Sequence, residues 1–240
     1  MRAEPAAFDC ARNLFLFPPC FIPPYLPASV LKLYGSPEAG GATQTALIAL
    51  LEKHVSFEFS IQPFKPFPAI ESHSSSACRS RFLNPQGDDR FIRYESRAIC
   101  RYLEHNYPDQ GTGLEPARSL YEQALTVEAF NFHPHAHWVR RGLNSDERFI
   151  REALKRLSEI LDVCNQVLAK TRYLAGDEFT LADLFHIAFG GTLIRAGHDI
   201  MTCRCSQTLF GSWWNDIQSR SSVRRFPEAG LFTSVASYRL

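Results

Sequence analysis

Glu95 and Ser96 stand side by side at the head of a stripe in which Ala98, Ile99, Tyr102 and Leu103 recur at helical spacing. The first amides of a helix lack partners in their own helix and carry the positive end of its dipole, so a helix opening at Ser96 suits a carboxylate. The Glu95 side chain suits an ammonium, and the two residues together meet both ends of a zwitterion. Read as structure alone, the same pair is an N-cap serine beside an acidic dipole partner. A second candidate lies in Ser36-Pro37-Glu38-Ala39-Gly40-Gly41-Ala42-Thr43, a loop leading into a helix. Its hydroxyls, with that of Tyr34 just before it, and the amides of Gly40 and Gly41 form the kind of donor set that stabilises an anion. Thr43 also reads as a helix cap.

Other clusters carry less chemistry. His133, His135 and His137 alternate, but alternate residues share a face only on a strand, and Pro134 sits among them in a helical region. Cys203-Arg204-Cys205 has neither redox nor zinc-ribbon spacing, and Gly35, Gly40 and Gly41 match no nucleotide-binding fingerprint. No metal is expected. The 26 basic and 25 acidic side chains are dispersed, which argues against nucleic acid and an anionic membrane surface as partners. Seven scattered cysteines fit reduced thiols and a cytoplasmic location, and no apolar run is long enough to span a membrane.

Positioning these residues requires a scaffold whose elements are readable in part. Val30 to Tyr34 predicts a strand, Thr43 to Lys53 a helix, and the alternation of Val55, Phe57, Phe59 and Ile61 a second strand, so the chain opens as a βαβ unit. Residues 62–89 show no period and read as irregular; Arg90 to Tyr94 predicts a short strand and Ser96 to His105 a helix. Beyond Arg118 every pattern is helical, with the clearest stripe at Ile150, Leu154, Leu157, Leu161, Cys164 and Leu168. Thr180 and Asp183 have the spacing of a capping box, with Phe179 and Leu184 as a hydrophobic staple. The expected divisions are a Pro-rich, poorly ordered extension (1–29), an α/β domain (30–105), a linker (106–117), an all-helical bundle (118–226) and a tail (227–240). The apolar run Leu14 to Phe17 follows Arg12 as a leader would, but prolines and the acids Glu4 and Asp9 spoil that match.

Three stretches resemble the cytosolic glutathione transferases, most closely plant phi-class and related fungal members. These are Tyr94-Glu95-Ser96-Arg97-Ala98-Ile99-Cys100-Arg101-Tyr102-Leu103, Tyr173-Leu174-Ala175-Gly176-Asp177-Glu178-Phe179-Thr180-Leu181-Ala182-Asp183, and Trp213-Trp214-Asn215-Asp216-Ile217. With Leu33-Tyr34-Gly35-Ser36-Pro37 they span roughly residues 30–226 in the family's order. The resemblance implies a thioredoxin-like α/β domain followed by a helical bundle, a homodimer, glutathione as co-substrate and a small hydrophobic electrophile as its partner. It implies that Glu95 and Ser96 hold the γ-glutamyl end, and that Ser36, Gly40 and Thr43 are the candidates for orienting the thiolate.

The chain departs from that family at two places. A phi-like catalytic serine belongs where this sequence has Ala39 or Gly40. The family's cis-proline segment has two competing counterparts. In the preferred alignment, Phe82-Leu83-Asn84-Pro85-Gln86-Gly87 matches F-L-x-x-N-P-x-G, and the proline and the third strand are deleted; in the other, Phe67-Pro68-Ala69-Ile70-Glu71 is the remnant, with Pro68 in the cis role. The second substrate is expected against the helical domain near Phe130, Phe132 and Trp138. A rival reading is a non-catalytic binding or assembly module, like the transferase-like domains of elongation factor gamma subunits and some fungal prion-related proteins.

Overall fold

The computed structural model describes residues 31–35, 41–61, 80–83, 92–116, 119–142, 146–203, 208–225 and 236–238. Strand β1 (Leu31–Gly35) runs parallel to β2 (Phe57–Ile61), with Leu33 opposite Phe59, and α1 (Gly41–Glu52) is the crossover between them. Alternation decides the faces: Leu31 and Leu33 are buried while Lys32 and Tyr34 are only partly so, and Phe57 and Phe59 are buried on the neighbouring strand. Helix α1 has no polar face. Ala46 to Leu51 are all buried, because α1 is covered by α2 (Ser96–Asn106) on one side and α6 (Leu181–Arg195) on another.

Two expectations about the sheet are corrected. Ser80–Leu83 forms β3, antiparallel to β1, and β4 (Ile92–Tyr94) is antiparallel to β3, so the third strand is present rather than deleted and part of the segment read as irregular is strand. Four residues are too few to show a period of two, and the partner edge of β1 supplies what the local sequence does not. From the expected tail, Ala236–Tyr238 forms β5, antiparallel to β2, giving the sheet order β4-β3-β1-β2-β5.

The helices that follow begin with α3 (Ser119–Val127), which continues through a π-helical turn (Glu128–Phe132) into α4 (His133–Arg141). Helix α5 (Glu147–Leu168) is capped by Asp146, whose side chain accepts from the Arg148 amide at 2.9 Å, and buries Ala153, Leu157, Leu161, Cys164 and Leu168. At the start of α6 the capping box forms as predicted. Asp183 Oδ2 accepts from the Thr180 amide at 2.9 Å, and Oδ1 accepts from Trp213 Nε1 at 2.8 Å and the Leu174 amide at 3.1 Å. Trp213 belongs to α7 (Leu209–Ser219), which α8 (Ser221–Arg224) follows, so two of the recognised sequence stretches meet on one buried carboxylate.

Residues 107–116 carry neither helix nor strand. They are pinned by the end of α1: the Thr112 amide donates to the Glu52 carbonyl at 2.9 Å and Thr112 Oγ1 to Glu52 Oε2 at 2.8 Å. Gly111 precedes this contact at φ 59°, and a Cβ there would lie 2.0 Å from the Glu52 carbonyl oxygen, so neither the conformation nor the space admits a side chain. The Glu52 carboxylate also receives Arg220 Nε and Nη2, each at 2.7 Å, and Ser222 Oγ. A single acidic side chain thus ties α1 to the linking segment and to the last helices. The core is one continuous apolar cluster running from the sheet through α1 into α6 and α7.

Candidate active site

Helix α2 starts at Ser96, and the residue before it adopts an unusual backbone. Glu95 has φ 68° and ψ 118°, in the left-handed half of conformational space where a non-glycine residue is strained by about 1–3 kcal/mol. Glu95 is exposed and its side chain makes no capping bond to the helix; the Ile99 amide bonds to its carbonyl at 2.9 Å. Ser96 is buried as the first helical residue and is therefore not the N-cap. The plain capping reading of this pair is thereby corrected: the N-cap is Glu95, and its side chain leaves the first-turn amides of α2 uncapped.

Arg97, next along, turns inward. It donates to Glu128 Oε2, and its guanidinium lies 5.0 Å from the ring centre of Phe185 and 5.5 Å from that of Phe189, both on α6. Glu128 is wholly buried in the π-helical turn, a feature that often re-aims side chains at functional sites. Burial pushes the Glu128 carboxyl up despite the opposing Arg97 charge, and Glu128 Oε1 and Arg97 Nε are buried without a hydrogen-bond partner.

Phe189 joins this cluster to the head of α1. A Cβ placed on Gly41, the first residue of α1, would lie 2.6 Å from the Phe189 ring. Since the same ring lies beside Arg97, the heads of α1 and α2 open at one end of the molecule, facing α6. Two sequence segments more than fifty residues apart are gathered there.

Of the residues the sequence nominates, Glu95, Ser96 and Thr43 are described; Ser36, Gly40 and Pro68 lie outside the described residues. Thr43 is buried at the third position of α1 and faces Gly35, where a Cβ would fall 2.5 Å from its Cγ2 and 2.8 Å from its Oγ1. It packs the end of β1 against α1 rather than standing in the capping position. Phe132 is in the core against His186, whereas Phe130 is 75% exposed and Trp138 stacks on Phe149 at the surface, so these three aromatics share no single wall.

His133 and His137 prove to be neighbours one helical turn apart, their ring centres separated by 6.0 Å, which the view of alternate histidines splaying apart overlooked. Among the described residues no group of three or more His, Cys, Asp or Glu side chains gathers as a metal set. Burial pushes the Cys164 thiol up to about 12 and raises that of Cys100 as well, so neither serves as a thiolate. No helix among the described residues is long and apolar enough to cross a membrane. That Arg97, Glu128, His133 and Phe189 come together was not anticipated. Arg97 lay inside a recognised motif, but the role of the other three depends on which helix faces which.

Residues 33–111 match the family model described as "Glutathione S-transferase, N-terminal domain", and residues 121–196 that described as "Glutathione S-transferase, C-terminal domain". The chain belongs to the glutathione S-transferase family. It is 32% identical to "Glutathione S-transferase F9" of Arabidopsis thaliana over 219 residues, covering 80% of this chain and 93% of that one. It is 31% identical to "Glutathione S-transferase 3" of Zea mays over 222 residues, covering 81% and 92%. Among solved structures, a serine-to-cysteine mutant of poplar glutathione transferase F1 superposes with a TM-score of 0.71 at 28% identity, over 82% of this chain and 96% of that one. Glutathione transferase F7 of Populus trichocarpa gives 0.68 at 26% identity, over 82% and 97%. A thioredoxin-like domain followed by a helical domain is thus the fold, as the sequence motifs implied.

Proposed function

We propose that this chain is a glutathione transferase that binds glutathione across the heads of α1 and α2 and joins its sulfur to a small electrophile. The observation that carries this reading is the uncapped start of α2 behind a left-handed Glu95. The first-turn amides and the Ser96 hydroxyl receive the γ-glutamyl carboxylate, and Glu95 pairs with the ammonium. The unpartnered Glu128 Oε1 and Arg97 Nε supply further polar contacts, direct or through water. At α1, the amides of Gly40 and Gly41 favour thiolate over thiol, with Ser36 as the candidate hydroxyl; Pro68 is the candidate for the proline that pairs with the cysteinyl backbone. A homodimer in the cytoplasm accords with the family.

Because Ala39 or Gly40 stands where a catalytic serine belongs, the amides rather than a hydroxyl carry thiolate stabilisation in this reading. That feature also supports the alternative of a non-catalytic binding or assembly module. Calorimetric titration with reduced glutathione, beside a Glu95→Ala, Ser96→Ala double variant, tests the site. Saturable heat in the parent that vanishes in the variant is expected; a folded parent without heat at millimolar ligand overturns the enzyme and leaves the interaction module. Bound glutathione with no turnover of a panel of electrophiles selects the module.

A further inference from the structure

The two sides of the sheet are finished differently. On one side β4 is three residues long, carries Arg93 with its guanidinium 3.8 Å over the Tyr102 ring, and runs straight into Glu95 and α2. Brevity and a charged side chain are common guards against edge-to-edge pairing. On the other side β2 is five residues long, and Phe57, Phe59 and Ile61 alternate there with Glu58 and Ser60. Its one charge is a weak guard, because Glu58 Oε2 lies 3.6 Å from Lys32 Nζ on β1 and is paired. Among the described residues, what covers this edge is β5, with Phe57 opposite Tyr238, Glu58 opposite Ser237 and Phe59 opposite Ala236. The cover is slight. It pairs with three residues of β2, whereas β1 pairs with all five from the inner side, and it follows the helical domain in the chain. So short a strand offers few backbone bonds and is kept in place by its tether, so its release leaves the β1–β2 pair intact.

We propose that β5 is a removable cover, and that the edge of β2 beneath it is a docking surface for the same edge of a second copy of this chain. The sequence of β2 suits pairing with itself, because its pattern reads alike in both directions. An antiparallel pair centred on Phe59 sets Phe57 against Ile61 and Glu58 against Ser60, so apolar positions share one face, polar positions share the other, and no like charges stand opposite each other. Such a contact is isologous: the same strand serves on both sides of a two-fold axis. The two sheets then join as β4-β3-β1-β2 against β2-β1-β3-β4. The docking uses neither Glu95 nor Ser96, which follow β4 on the opposite side of the sheet. While β5 is paired the surface is closed, so the end of the chain acts as an intramolecular competitor of the second copy.

The test compares the full chain with a chain ending at Val235 and with the double variant Ala236→Pro, Ser237→Pro. Adjacent residues of a strand direct their amides to opposite sides, so one of the two prolines removes a donor to β2 whichever way the ladder is phased. Light scattering from micromolar concentration upward reads the association, and tryptophan fluorescence with far-UV circular dichroism reads the fold. Both variants are expected to keep the native spectra, to reach about twice the mass of the full chain or more at the same concentration, and to fall back on dilution. Hydrogen exchange locates the contact: amides within residues 57–61 exchange faster in the dilute variants than in the full chain, and slow again in the associated form. The mass of the full chain in both variants at every concentration overturns the docking surface. Association that leaves residues 57–61 exchanging fast places the contact elsewhere and overturns it as well, as does association of the shortened chain alone. Loss of the native spectra in both variants makes β5 an integral part of the fold and overturns its role as a cover.

Discussion

Two buried ion pairs in this protein look alike in composition and differ in completeness. At the end of α1, Glu52 receives two bonds from Arg220 and one each from Thr112 and Ser222, and Arg220 lies 3.9 Å over the Phe179 ring. Beside it Lys53, with no exposed surface, bonds Glu104 at 2.7 Å and the Thr112 carbonyl at 3.3 Å. At the head of α2, Glu128 has Arg97 alone, and one polar atom on each side of the pair is left without a partner. The carboxyls respond in opposite directions. Burial raises both, but the bonds from Arg220 and Ser222 outweigh it and hold Glu52 below the usual carboxylate range, while Glu128 stays above it. A buried charge with every lone pair satisfied fixes one arrangement of the chain; one with atoms left over marks a place where something else can bind.

The largest expected effect comes from breaking the complete pair. Glu52→Ala strips Arg220, Thr112 and Ser222 of their acceptor at once and is expected to destabilise the protein by about 3–5 kcal/mol. Urea unfolding followed by fluorescence of the α7 tryptophans Trp213 and Trp214 measures it. A loss no greater than that of an exposed pair would show that the clamp is decorative.

Next in size is the acid response of His186. Its imidazole is pushed down to about 4, by burial first, with the nearby Arg97 charge adding to it and the Ala182 bond opposing. The folded state therefore binds fewer protons than the unfolded state between about 4 and the ordinary 6.5. Stability is fully present above about 6.5 and declines as pH falls toward 4, by about 3 kcal/mol for this group. Glu52 has the lowered carboxyl, so its contribution is lost only further down, below the ordinary carboxylate range. His186→Leu should lessen the slope of the upper part of the stability profile, to which His133, also pushed down to about 4, contributes the rest, and leave the lower part, which urea midpoints at pH 7, 6, 5 and 4 will separate.

The incomplete pair should respond less in stability and more in binding. Glu128→Gln keeps the shape and an acceptor for Arg97, and burial already disfavours the Glu128 charge, so a loss of about 1–2 kcal/mol is expected. Under the proposed function, glutathione affinity falls several-fold in the same variant, read by calorimetry. A stability loss as large as that of Glu52→Ala with unchanged affinity would erase the distinction between the two pairs.

How much of this was legible beforehand differs between the same two regions. The capping box at Thr180 and Asp183, the βαβ opening and the stripe of α5 are local patterns, and the sequence carries them because each partner lies within a few residues of the other. The placement of Glu95 and Ser96 at the head of α2 was legible for the same reason. Strand β3 was not, since Ser80 to Leu83 becomes a strand only through the edge of β1. Nor was the Glu52 clamp, whose partners are 60 and 168 positions away. The stripe expected on α2 was off by one face position: Ala98 is exposed, and Cys100 fills the core in its place, because the helix is rotated by what α1 presents to it. The contact of His133 with Phe189 belongs to this non-local class, since it exists only because α4 packs on α6.

The smallest effect belongs to a third setting of the same chemistry. On the outer face of α5, Arg156 pairs with Glu152 at 3.4 Å and Glu159 at 3.0 Å, each side chain about half exposed. Water solvates these charges nearly as well apart as together, and holding three long side chains in register has an entropic cost, so Arg156→Ala should shift stability by no more than about 0.5 kcal/mol. Raising salt should abolish even that, because a few ångströms of high dielectric are readily screened. The Glu52 pair, by contrast, should keep most of its effect in molar salt. Urea midpoints of the two variants at low and high ionic strength therefore test whether burial, rather than the number of charges brought together, separates a clamp from a surface contact.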